Sequence, residues 1–243
     1  MATVTMTSAV ALCASAPARV RDILLGPPCR GTVLARFPTA LYLAVPRGFG
    51  VIAVLSRDAV RLPCGVQLVT PQLDLPDDEV VVGDGGIRVG SVRIVPARVV
   101  SVRVARRRAP VLAPDTWRPA ARVDLSDPQR LLGHGPGLTP SGDDVLAGYL
   151  VGAAAYGLPV DALRAYVDAN AHRRTTTLSA ALLRHAAAGE TIPQVAGLLD
   201  ALDGRRPLDR ALRELAGVGH TSGAALGSGV LAAAESASAR MVG

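Results

Sequence analysis

Residues 98–106 read RVVSVRVAR, and residues 140–156 read PSGDDVLAGYLVGAAAY. In the first stretch Val100, Val102 and Val104 alternate with Ser101 and Arg103, the period of a strand with one buried face. The second stretch drops that alternation for a helical pattern opened by a proline. The period changes near residue 124, so the chain reads as an α+β protein: a β-rich N-terminal half, residues 1–124, and an α-helical half, residues 125–243.

The N-terminal half offers short β-branched runs between glycines and prolines, at Gly31 to Phe37, Ala40 to Val45, Gly50 to Leu55, Val66 to Val69, Glu79 to Val82, Ile87 to Val95 and Arg98 to Arg106. Many short strands separated by turn residues predict an antiparallel β barrel or sandwich. Asp84, Gly85 and Gly86 make a turn between two of them. After a loop from Pro110 to Pro128, which holds Trp117, six helices are expected. They run from Pro140 to Tyr156, Val160 to Ala171, Thr177 to Ala188, Pro193 to Leu202, Leu208 to Ala216 and Ser222 to Ala239. Pro159, Pro193 and Pro207 lie near helix starts, and Gly157 and Gly189 just past helix ends. The expected outcome is a helical bundle.

Composition narrows the function. The chain has 243 residues, 49% of them apolar, enough for a sizeable core. Its basic residues are 26 arginines with no lysine, which excludes Schiff-base chemistry and a phosphate loop ending in Gly-Lys-Ser/Thr. The net charge of +6 belongs to the first half, but only 3% of residues are aromatic. Single-strand nucleic-acid binders pair charge with aromatic stacking platforms, so an acidic partner surface fits the arginine-rich strands between Arg88 and Arg108 better than nucleic acid. Cys13, Cys29 and Cys64 are odd in number and widely spaced, which indicates neither a disulfide framework nor zinc and fits a reducing cytoplasm. The opening MATVTMTSAVALCASAPA has a small-residue end like a secretory leader but no basic residue before Arg19, and reads as ordinary chain. No stretch reaches the roughly 18–20 uninterrupted apolar residues of a membrane span; Val145 to Leu158 comes nearest.

Function concentrates in Gly133 to Asp144, GHGPGLTPSGDD. Gly133, Gly135 and Gly137 permit positive φ and close approach of a ligand to the backbone. Thr139 followed by Pro140 reads as an N-cap and first helical residue, giving a free helix N-terminus suited to phosphate or a small carboxylate. Ser141 adds a hydroxyl next to the backbone of Gly142, or is itself the cap in a Ser-x-x-Asp box with Asp144. Asp143 and Asp144 would repel an anion held by that same turn. Three readings remain open: the two carboxylates only stabilise the helix start; a divalent cation such as Mg2+ bridges carboxylate and anion; or the ligand has an anionic end and an amide end that donates to a carboxylate. Ser141-Gly142-x-x-Val145-x-x-Gly148 also echoes Ser222-Gly223-x-x-Leu226-x-x-Gly229. Small residues at this spacing mark a tight helix crossing, or two helix starts facing one another across a pocket.

GHGPGLTPSGDDVLAG (133–148), RTTTLSAALL (174–183) and VGHTSG (218–223) resemble a family first catalogued as a domain of unknown function. Its members include the third subunit of the oxamate carbamoyltransferase complex of allantoin catabolism. Gly31 to Leu43, Gly50 to Leu55 and Ala113 to Pro119 resemble the β half of that family. The resemblance implies carbamoyl transfer between phosphate and a small 2-oxo acid amide, in company with two other subunits; the alternative is a non-catalytic module that holds a small anion or stabilises partner subunits. It carries Gly135, Pro136, Gly137, Leu138, Thr139, Pro140, Ser141, Gly142, Asp143 and Asp144 in the loop, and His220, Ser222 and Gly223 in the last motif. Ala225 stands where many relatives have a polar or acidic residue. Carbamoyl phosphate and oxamate each join an anionic end to an amide end, which suits the third reading of the loop.

The expected site therefore comprises Asp143 and Asp144 as catalytic groups, with Gly135, Gly137, Thr139, Ser141, Gly142, Thr176, Ser179, His220 and Ser222 binding the ligand. Thr175, Thr176, Thr177 and Ser179 also suit a helix cap. Arg173 and Arg174 offer charge for a phosphate, His134 a titrating ring, and His172 and His185 read as surface or partly buried helix positions. No metal-ligand spacing and no nucleophile-plus-base pair is visible in the sequence.

Overall fold

The computed structural model describes residues 10–75, 78–111, 125 and 127–242. The expected boundary at residue 124, Trp117 and the Ala113 to Pro119 segment lie outside them. The chain divides into two compact units, residues 1–101 and 102–243.

The first unit is a closed eight-stranded barrel. Its strands are β1 (Val10–Pro17), β2 (Cys29–Phe37), β3 (Ala40–Ala44), β4 (Val51–Leu55), β5 (Gly65–Leu68), β6 (Val80–Gly83), β7 (Gly86–Val89) and β8 (Val92–Val100), in the order β1-β5-β4-β3-β2-β6-β7-β8 around the barrel. Pairing is antiparallel except between β4 and β5 and at the seam, where β8 runs parallel to β1. Side chains two apart point the same way along a strand, so the pairs Leu41 and Leu43, Ile52 and Val54, Val80 and Val82, and Ile87 and Val89 fill the interior. Helix α1 (Ala18–Leu25) adds Val20 and Leu24 to that core.

Two differences from the sequence reading stand out here. The stretch Ile87 to Val95, read as one strand, is a hairpin broken at Gly90 (φ 55°), and a second tight turn at Asp84-Gly85, both left-handed, joins β6 to β7. The opening segment supplies β1 and α1, which the sequence reading left without structure. Its inward residues, Ala14 and Ala16, are small and carry none of the β-branched signal that marks the other strands.

The described residues of the second unit hold six α-helices: α2 (Ser141–Tyr156), α3 (Asp161–Arg174), α4 (Thr177–Ala187), α5 (Pro193–Leu202), α6 (Leu208–Ala216) and α7 (Ser222–Val242). All six were legible. Gly157, left-handed at φ 69°, ends α2, and Pro193 opens α5. The strand expected to reach Arg106 stops at Val100; beyond it an extended segment lies along the helices. Val104 N–H donates to Gly189 O (2.9 Å), Thr191 N–H to Val102 O (2.8 Å) and Arg107 N–H to Ala155 O (2.8 Å). Period-two alternation here goes with a single antiparallel bridge, Arg103 opposite Glu190 in the turn after α4, and not with a continued strand. The Arg107 guanidinium is buried between Asp200 (2.8 Å) and Asp203. No helix among the described residues is long and apolar enough to cross a membrane.

Helices α2 and α7 meet through the echoed motif. A Cβ on Gly148 of α2 would clash with the carbonyl oxygen of Leu226 of α7, and a Cβ on Gly229 of α7 with that of Val145 of α2. Residues Val145 and Leu226 occupy the same place in the two copies, so the contact is reciprocal. Glycine in a helix interior costs about 1 kcal/mol relative to alanine, and the main-chain approach it permits is the compensation.

Candidate functional site

The reciprocal crossing brings the starts of α2 and α7 together, with the glycine loop ahead of α2. The expected free N-terminus is largely closed. Gly142 N–H donates to His134 O (2.9 Å), and the N–H groups of Asp143 and Asp144 turn back to Pro140 O (2.9 and 3.1 Å), which, among the described residues, leaves Ser141 N–H open in the first turn. Pro140, not Thr139, is the N-cap, no side chain caps the helix, and the Ser141–Asp144 box is not formed. Thr139 is diverted: its hydroxyl lies 3.1 Å from that of Ser222 at the start of α7.

Two neighbouring carboxylates have separate surroundings. Asp143, 1% exposed, accepts Gly133 N–H on Oδ1 (2.7 Å) and the hydroxyls of Thr175 and Ser179 (2.6 Å for Ser179) on Oδ2. Thr176 caps α4 through Ser179 N–H (3.0 Å) and donates its hydroxyl to Leu138 O. Of the two sequence readings, the cap is seen at Thr176, and the hydroxyls of Thr175, Thr176 and Ser179 fasten the loop to the start of α4. Gly133 is required at φ 78° with a Cβ position blocked by the Arg174 carbonyl oxygen, so the same corner admits only glycine.

Asp144 is 7% exposed, and its Oδ2 has no hydrogen-bond partner. Burial pushes its carboxyl up to about 7; the Ser222 hydroxyl bonded to it pulls the value partway back, and the Asp143 charge adds to the rise. Thr139, Ser222 and Asp144 thus form a hydroxyl-to-carboxyl chain that ends on an unpartnered oxygen. Carboxyls left unpaired in this way are unusual in folded proteins and cluster at functional sites. Ala225 occupies the place in α7 that Asp144 occupies in α2, so the carboxyl comes from one copy of the motif alone.

The other expected residues fall as follows. Gly135 (φ 117°) folds over the helix start, where a Cβ would meet the Ser141 hydroxyl at 2.8 Å, and Gly137 (φ 91°) is open to solvent. Gly142 is buried against Leu131 and has no room for a side chain. His134 contributes its carbonyl and leaves its ring exposed, and His220 is exposed just ahead of α7. Arg173 and Arg174 do not serve the loop: Arg174 reaches the Tyr166 hydroxyl (3.3 Å) and Gln129 O (3.1 Å), and Arg173 reaches Ala169 O (3.3 Å). Asp143 accepts from three protein donors, and no group of three His, Cys, Asp or Glu converges among the described residues.

Sequence reasoning missed two buried polar contacts elsewhere in this unit. His185 is 2% exposed, not a surface position, with Nδ1 2.6 Å from Glu190 Oε2. Arg107 is the one arginine of the Arg106-Arg107-Arg108 run that is buried against carboxylates, and nothing in that run distinguishes it.

Residues 131–234, from the loop through most of α7, match the family model described as oxamate carbamoyltransferase subunit AllH. The match bears out the resemblance carried by the loop, the α4 start and the VGHTSG turn. No solved structure matches the chain.

Proposed function

We propose, from the family carried by the helical unit, that this protein is a subunit of an oxamate carbamoyltransferase-type complex and that its loop receives a small anionic amide. One observation carries the reading: the Asp144 carboxyl, buried where two helix starts meet under the glycine loop, has an oxygen without a partner. An unsatisfied buried acceptor costs about 1–3 kcal/mol, and an amide N–H from the ligand relieves it. The anionic end of the same ligand finds the Ser141 N–H and the exposed backbone of Gly135 and Gly137. Oxamate and carbamoyl phosphate both have this two-ended form. Asp144 is then the residue that touches the ligand, while Asp143, Thr175, Thr176 and Ser179 are positioning residues that hold the loop. Ser222 and Thr139 orient Asp144. The remaining subunits of the complex are the partners, with the exposed Arg88, Arg93 and Arg98 of the barrel available to acidic faces on them.

Calorimetric titration of the protein with oxamate, carbamoyl phosphate and phosphate tests the site, with and without magnesium. The two amides should bind, phosphate should bind more weakly, and Asp144→Asn should remove the preference for the amides. Equal binding of all three ligands by wild type and Asp144→Asn would refute the assignment.

A further inference from the structure

At the opposite end of α2 from the loop lies a second feature that the family reading does not use. The C-terminal ends of α2 and α4, the start of α3 and the extended segment 103–106 enclose a cavity of about 470 Å³. Arg103, Arg106 and Arg164 line it, together with Ala153, Gly157 and Ala188. With α2 16 residues long, its ends are about 24 Å apart at 1.5 Å per residue, so this is a separate place in the unit.

Arginines near helix C-termini commonly serve the last carbonyls, and Arg103 does so, donating to Ala188 O (3.1 Å). Several of the other terminal carbonyls are satisfied by main chain. Ala153 O accepts from Gly157 and Leu158, Ala155 O from Arg107 N–H, and Ala186 O from Gly189. Arg106 has no carboxylate partner among the described residues, and its Nη1 stands over Gly157, 2.7 Å from where a Cβ would lie. Arg164 sits in the first turn of α3, where a cation opposes the helix dipole. Among the described residues its one acid is the exposed Asp161 at 3.6 Å, and its Nε is buried without a partner. Helix architecture thus accounts for one of the three guanidiniums and leaves two.

We infer that this cavity is a binding site for a phosphorylated small molecule. Guanidinium forks bind oxyanions through paired N–H bonds, and the two forks left by helix architecture, with the Arg103 charge beside them, suit a tetrahedral phosphoryl group, which accepts from more directions than a planar carboxylate. The volume is that of a small-molecule site and not of a flat docking face. The inference stands apart from the loop and does not depend on its ligand.

Amide hydrogen exchange of the whole protein with and without pyrophosphate tests it, because the two sites report from different segments. Pyrophosphate should slow exchange in 153–158 and 186–190, and the concentration needed should rise about tenfold in Arg106→Gln and in Arg164→Gln. Arg106 is exposed, so its variant keeps the test valid if Arg164→Gln fails to fold. Protection confined to 133–144, protection unchanged in Arg106→Gln, or protection by polyglutamate and not by pyrophosphate would each overturn the inference.

Discussion

Asp143→Asn and Asp144→Asn, one residue apart in the first turn of α2, should shift stability in opposite directions. The Asp144 carboxyl is held at about 7 against an ordinary value of 3.8. Between those pH values the folded chain keeps a proton that the unfolded chain has released, so wild-type stability falls as pH rises through the window and levels off above 7. Three units at 1.4 kcal/mol each set an upper bound of about 4 kcal/mol. Asparagine has no charge to desolvate, so Asp144→Asn should melt above wild type at pH 8, and the difference should shrink toward pH 4. A gain of about 1–3 kcal/mol, after allowing for the amide's own unmet hydrogen bonds, corresponds to several degrees for a chain of this size. Asp143→Asn keeps the shape but replaces an acceptor of three hydrogen bonds with a group that donates on one side. Losing one or two charge-assisted bonds should lower stability by about 2–4 kcal/mol. Differential scanning calorimetry at pH 5 and 8 reads both. If Asp144→Asn melted below wild type by as much as Asp143→Asn at pH 8, the separation of roles argued here would be refuted.

Three further outcomes are expected. Gly148→Ala and Gly229→Ala each drive a Cβ into a facing carbonyl oxygen and should cost 3 kcal/mol or more by urea unfolding, about the top of the usual overpacking range, whereas Gly227→Ala, whose Cβ meets a Leu215 methyl at 3.2 Å, should cost much less. Arg107→Ala leaves the buried Asp203 with only the exposed Arg205, 3.8 Å away, and should destabilise by up to about 3–5 kcal/mol; a loss within 1 kcal/mol of zero would show that the pair is not buried in solution. Of the three thiols, Cys64 is fully buried and held up to about 12, so an alkylating reagent at pH 8 should reach the exposed Cys13 in the native protein and Cys64 only after denaturation.

The sequence made the helical unit legible almost to the residue, because its punctuation is local. Gly157 and Pro193 act within their own turns, and no tertiary contact is needed to read them. The barrel was legible as β structure, but its closure was not: the seam joins Val10–Pro17 to Val92–Val100, and the small residues of β1 give no strand signal until β8 is beside them. At the site, the loop and both carboxylates were found by composition. What could not be read was their division of labour, since Asp143 and Asp144 have the same chemistry and differ only in what long-range folding sets against them: α4 for one, α7 for the other. Thr139 shows the same limit. It has every local mark of a cap, yet its hydroxyl goes 83 residues away to Ser222.

The α2–α7 crossing also limits how those helices can move. Each glycine faces the other helix's main chain at zero clearance, and the two contacts are reciprocal. A slide of one helix along the other puts a side chain in place of a hydrogen at both points simultaneously. The pair therefore behaves as a ratchet with a single tooth engaged, and the separation of Thr139, Asp144 and Ser222 is fixed by backbone against backbone. Drift in the apolar side chains of the surrounding helices can change the stability of the unit without changing the dimensions of the place where a ligand would sit.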